Sequence, residues 1–276
     1  MNRTLCLFAA FVVAMSAGPA LAQDATQAAS FADTFGVKLD EWLPGMGAET
    51  ISQRRNAQQA LQNELFKLGG GEHKEDLTTA CKIVAGKLGP ETSKPARLWL
   101  LRQLEFNGSA ECVDAVAACL KDKDATIRDA ARRALQNNPA RAAGAKLLAA
   151  LASAPDDTGR IAVANALGYR GEPDAEKALA GLLSHKNADV AAAAANALGR
   201  IATPDAAKAL AAALDKAPDG LISPIADAYL RCADAMLDAG KKPEAMAVYR
   251  RLAAGTWPSA IRLAAAQGML KAAGKK

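Results

Sequence analysis

The chain has 276 residues, of which 51% are apolar and only 4% aromatic, with a formal net charge of +5. An apolar fraction of that size buries a proper core and excludes a largely disordered chain. The small positive excess is interspersed with acids, which excludes the concentrated basic stripe of a nucleic-acid binder. Alanine, the best helix former, fills runs such as Ala191–Ala195, while the residues that favour strands are scarce, so the chain reads as all-α.

The first 22 residues stand apart. Arg3 precedes an apolar run from Leu5 to Val13, then come Gly18 and Pro19, and small residues hold the first and last places of Ala20-Leu21-Ala22. This is the pattern of a cleaved secretory signal, with a mature chain starting at Gln23 in the periplasm or outside the cell. The run is too short to anchor in a bilayer, and no other stretch is apolar enough to span one. Losing Arg3 lowers the formal charge from +5 to +4. Cys6 leaves with the signal, so Cys81, Cys112, Cys119 and Cys232 remain. Cys112 and Cys119 lie about 10 Å apart along one helix and cannot pair with each other. Pairing of Cys81 with either stays open beside the plainer reading of buried free thiols.

Residues 23 to 50 predict a short helix around Phe31 to Leu39, followed by Trp42 and Pro44-Gly45. Ile51 to Leu68 and Lys74 to Leu88 then read as a helix pair broken by Gly69-Gly70-Gly71, an N-terminal cap over residues 51 to 92.

From 93 to 214 the chain repeats itself. Leu104, Leu135, Leu167 and Leu198 are separated by 31, 32 and 31 residues, and Leu120, Leu151, Leu183 and Leu214 keep the same spacing. Eleven residues before each leucine of the first series stand Ser93, Asp124, Asp156 and Asn187, all good N-caps. Pro139, Pro173 and Pro204 are placed to open the second helices. Gly168 and Gly199 are expected to close the first helices in the left-handed conformation. One such helix pair cannot bury its own apolar stripe, but stacked neighbours can, so the four units predict a solenoid. Residues 215 to 276 hold a long helix pair and a last helix.

The pattern Asp-x-x-Ile-Arg-x-x-Ala-x-x-Ala-Leu at 124 to 135, and Ala-Leu-Gly-x-x-x-x-Pro-x-Ala at 197 to 206, resembles HEAT repeats of the short kind first named from phycobilisome lyases. Gly240, Ala245, Tyr249 and Leu252 resemble the turn and packing residues of one tetratricopeptide repeat. The resemblance implies a right-handed α-solenoid of stacked antiparallel helix pairs, whose second helices form a concave binding surface. It also implies a kinship with arrays found beside carbohydrate-active or redox domains in exported bacterial proteins. On the concave surface it places Lys146, Leu147, Glu176, Lys177 and Lys208.

Chemistry is sparse. His73 and His185 lie in different repeats without partners at metal-ligand spacing, His185 in the exposed loop Ser184–Val190. No nucleophile elbow, phosphate loop or metalloprotease run is present. The triple glycine reads as a turn, and the carboxylates read as caps and first-turn charges. Trp42, Trp99 and Trp257 are too scattered for a stacking platform. Arg97, Arg128 and Arg160 recur seven residues before the leucines. They form either a basic ladder for an acidic partner or, as the resemblance implies, ion pairs to adjoining repeats. The expectation is therefore a non-catalytic scaffold, without metal or cofactor, that binds a protein partner. A lyase of the phycobilisome kind and an envelope assembly protein are the alternatives.

Overall fold

The structure, a computed structural model, describes residues 19–274, with side chains from Phe31 onward. The expected signal lies outside the described residues as far as residue 18. Residues 19 to 22 begin α1 (Pro19–Met46), a helix of 28 residues in place of the short one expected. Pro44 does not cut it short, because the lost amide falls two residues from the end, where little helix remains to be disrupted. Phe35, Leu39 and Met46 bury one face of α1.

The cap pair is α2 (Ile51–Leu68) and α3 (Lys74–Gly86). Thr50 caps α2, its hydroxyl accepting from the Gln53 amide at 3.4 Å. The four repeated units follow. They are α4 (Lys94–Asn107) with α5 (Val113–Ala118), α6 (Ala125–Asn137) with α7 (Arg141–Ala152), α8 (Asp157–Arg170) with α9 (Glu176–Leu182), and α10 (Ala188–Ile201) with α11 (Pro204–Leu214). Short 3-10 turns flank α5 and lead into α9. The chain continues through α12 (Asp219–Asp238), α13 (Lys242–Ala254) and α14 (Ser259–Ala272). Among the described residues there is no strand, and no helix is long and apolar enough to cross a membrane. The architecture is an α-solenoid of stacked helix pairs around one continuous core.

The repeat register is visible in the packing. Leu104, Leu135, Leu167 and Leu198 are all at most 1% exposed. Asp124 accepts from the Thr126 amide at 2.8 Å, Asp156 from Gly159 at 2.6 Å and Asn187 from Asp189 at 2.9 Å. Ser93 occupies the same place without a side-chain cap bond. Pro173 and Pro204 open their helical turns, but Pro139 falls two residues ahead of α7. There Asn138 organises the turn, its Oδ1 accepting from the Ala140 amide at 2.9 Å.

Gly168 and Gly199 do not end helices. They lie inside α8 and α10, and the left-handed residues are Gly171 (φ 64°) and Ala202 (φ 56°), three positions further on. What the two glycines provide is room. A Cβ on Gly168 would stand 2.5 Å from the Ala197 Cα, and one on Gly199 would stand 2.6 Å from the Ala228 carbonyl oxygen. Each first helix is thereby pressed backbone to backbone on the next, and the α8–α10 and α10–α12 contacts are the most extensive in the molecule, well ahead of α6–α8.

Arg170 ties the third unit to the second. Its Nη1 donates to the carbonyls of Leu135 (2.9 Å), Gln136 (3.3 Å) and Asn138, and its Nη2 to Ala140 at 3.0 Å. These include the unpaired carbonyls at the end of α6, where positive charge is favourable. In the last hairpin Gly240 (φ 77°) makes the turn, Ala245, Tyr249 and Leu252 are fully buried, and the Tyr249 hydroxyl donates to Asp234 at 2.5 Å.

Candidate functional site

A concavity of about 1050 Å³ opens between α5 and α7 and reaches down to the starts of α6 and α8. Its cause is in the repeat register. Eight residues before the four leucines stand Ala96, Ile127, Gly159 and Val190. Ala96, Ile127 and Val190 are at most 1% exposed and fill the core. Gly159 contributes nothing there, and a Cβ built on it would meet only Asp156 Oδ1 at 3.3 Å, then Pro155 and Ala154. The third unit therefore lacks an aliphatic side chain its neighbours have, at the junction where first helices touch least. Ala117, Ala118, Ala149, Ala150 and Val163 line the cleft with methyl groups.

The mouth is polar. Lys146 on α7 reaches Asp114 on α5 at 2.8 Å, an exposed pair that spans neighbouring repeats. Arg128 forms part of the wall, where its Nη1 donates to the Asp122 and Lys123 carbonyls at 2.9 and 3.0 Å.

Of the six residues singled out from the sequence, only Arg128 and Lys146 line this cleft. The three arginines do not form a free basic ladder. Arg97 is 12% exposed, pairs with Asp122 at 2.6 Å and donates from Nε to the Leu88 carbonyl at 2.9 Å. A hydrogen bond from the Asp124 amide, together with Arg97, holds the Asp122 carboxyl below the usual carboxylate range. Arg160 turns to Asp157 on its own helix at 2.6 Å. Lys208 pairs with Asp205 one turn away at 3.0 Å, and Lys177 is exposed with no ion pair among the described residues. Leu147, expected on the concave surface, is 0% exposed because it points into the core between units. Glu176 accepts from the Thr203 hydroxyl at 2.7 Å and so braces the next repeat. Sequence reasoning missed Gly159 and Asp114, although setting the repeats beneath one another exposes the odd glycine.

His185 is not a solvent-exposed loop residue. Its side chain is 20% exposed, its Nδ1 accepts from the Asn187 amide at 3.1 Å, and its Nε2 lies 3.9 Å from Asp157. Among the described residues no group of His, Cys, Asp and Glu is placed to hold a metal ion. Cys81, Cys112, Cys119 and Cys232 are free and buried, and burial pushes the Cys81 thiol up to about 12.

Comparison with known proteins bears on the repeats. The HEAT-repeat family profile matches residues 144–229, from within α7 to within α12. No curated protein matches the chain. Among solved structures the chain is similar to an engineered protein at 19% identity (TM-score 0.42), over 87% of this chain and 69% of that one. It is similar to the complex of CpcE and CpcF of phycocyanin lyase from Nostoc sp. PCC7120 at 19% identity (TM-score 0.43), over 85% of this chain and 94% of that one. It is also similar to human deoxyhypusine hydroxylase at 17% identity (TM-score 0.39), over 77% and 99%. Within this α-solenoid, residues 144–229 are therefore the stretch that is similar to HEAT repeats.

Proposed function

We propose that the chain is an exported, non-catalytic scaffold that holds a protein partner at the cleft between its second and third repeated units. The observation that carries the reading is the vacant core position at Gly159, opening into a cleft with a methyl-lined floor and a charged mouth. Ile127 and Val190 show what fits such a position, an aliphatic side chain. A partner that supplies one gains the burial the solenoid forgoes, roughly 1.5–3 kcal/mol for a side chain of that size. The Lys146–Asp114 pair at the mouth presents both signs of charge and suits a mixed polar rim around an apolar anchor. Export rests on the pattern of residues 1 to 22 and places the encounter outside the cytoplasm.

The test is capture from the native extracytoplasmic fraction with immobilised protein, run in parallel with Gly159→Ile. The expected result is one dominant partner that the parent retains and Gly159→Ile, with its cleft filled from inside, does not. Equal retention by both, with the helical spectrum of the variant unchanged, overturns the cleft as the docking place. A native protein whose N-terminus is Met1 and not Gln23 overturns export.

A further inference from the structure

A second concavity, about 380 Å³, lies on the opposite layer of helices, among α2, α4 and α6. Arg54, Arg102 and Arg133 line it together with Gln58, Thr126 and Trp99, and no carboxylate is among its lining residues.

The charges differ in how far they are spent. Arg133 pairs with Asp129 and lies 3.6 Å from Glu105, so its charge is answered. Among the described residues Arg54 donates to main-chain carbonyls, those of Ala48 at 2.7 Å and Glu49 at 2.9 Å, and pairs with no acid. Arg102 lies 5.7 Å from the centroid of the Phe106 ring and makes no ion pair or hydrogen bond among the described residues. Two guanidinium charges are therefore uncompensated at one depression. Trp99 lines the same depression, and its indole nitrogen is buried without an acceptor among the described residues. An indole N–H can only donate, and leaving such a group buried and unpaired is costly.

We infer that this depression is a binding site for a small organic polyanion carrying phosphate or carboxylate groups. Guanidinium forks match both oxyanions in a two-pronged geometry, and their charge is weakly enough hydrated to be given up to a ligand. The Gln58 amide and Thr126 hydroxyl add neutral polar groups at the margin. The volume lies in the range of small-ligand sites. The site shares no lining residue with the cleft around Gly159, so either can fail without the other.

The experiment follows the Trp99 indole resonance in ¹⁵N-labelled protein, assigned with Trp99→Phe, during titration with pyrophosphate and with citrate at low salt. A saturable shift is expected. Arg102 is exposed, so Arg102→Ala keeps the fold, and it is expected to weaken binding about tenfold, the loss of one charge-assisted hydrogen bond. Lys242→Ala, on a distant exposed lysine, is expected to bind as the parent does. No saturable shift with either probe up to about 10 mM, an affinity too weak for a built site, overturns the assignment. So does an equal loss in Lys242→Ala, which marks unspecific attraction. Binding to phosphatidic acid vesicles that free pyrophosphate does not compete assigns the surface to a lipid headgroup and overturns the small-molecule site.

Discussion

Gly168 lies directly against Ala197, so close that a methyl group on the glycine would meet the Ala197 Cα at 2.5 Å. Gly168→Ala sets a helix-propensity gain of about 1 kcal/mol against a backbone clash that no rotamer relieves. The clash wins, and chemical denaturation is expected to show a net loss of about 1–3 kcal/mol. Gly181 is the contrast, since nothing lies within 4 Å of its added Cβ. There the same change is expected to stabilise the protein by roughly 0.5–1 kcal/mol.

Arg170→Ala strips donors from four carbonyls around the end of α6 at once. A loss of about 2–4 kcal/mol is expected by denaturant titration. Arg170→Lys recovers only part of it, because an ammonium cannot reach carbonyls on both arms of a planar fork.

Ala202 is the non-glycine residue with a positive φ among the described residues, and it stands 31 positions after Gly171, which fills the same place in its own repeat. An L residue there carries steric cost that glycine avoids. Ala202→Gly is expected to raise stability by about 0.5–1 kcal/mol, and Gly171→Ala to lower it by a similar amount, both readable as opposite shifts in melting temperature.

Acid should loosen the array in a defined window. The carboxyls of Asp122, Asp124 and Glu64 are held below their ordinary range, chiefly by the Asp124 amide, by Lys94 and by Lys38 respectively. Unfolding returns them to ordinary values near 4, so below that point the unfolded chain binds more protons. The stability they contribute is present above about pH 4 and is lost as pH falls through the lower folded values. Melting temperature is expected to be level near neutrality and to drop below about pH 4. Asp122→Asn should be less stable at neutral pH and show a shallower drop, and a drop of unchanged size would remove Asp122 from the account.

The repeat was legible because it is a local matter. Asp124, Asp156 and Asn187 cap helices through amides two or three residues away, and the leucines 31 or 32 apart need only a helical period to find the core. Gly168 and Gly199 were misread because a glycine near a helix end has two uses, and only the neighbouring helix decides between them. Arg128 and Arg160 differ for the same reason, since identical places in the repeat met different turns, one offering two carbonyls and the other Asp157 beside a single, longer contact to the Ala154 carbonyl. The cleft was written in the sequence as one glycine out of step, but its depth depends on how far α6 stands from α8. Nothing in the order of residues marked Arg54, Arg102 and Arg133 as neighbours, because three different helices bring them together.

The glycine contacts run from α8 through α10 to α12 and stop short of α6. Under a stretching load along the superhelix, such a column does not yield uniformly. Among the four repeated units the seam between the second and third opens first, with Arg170 as its main latch, while the glycine-packed block beyond it stays whole. Among the four repeated units the α6–α8 seam is in mechanical terms the compliant joint, and the cleft at Gly159 lies in that joint.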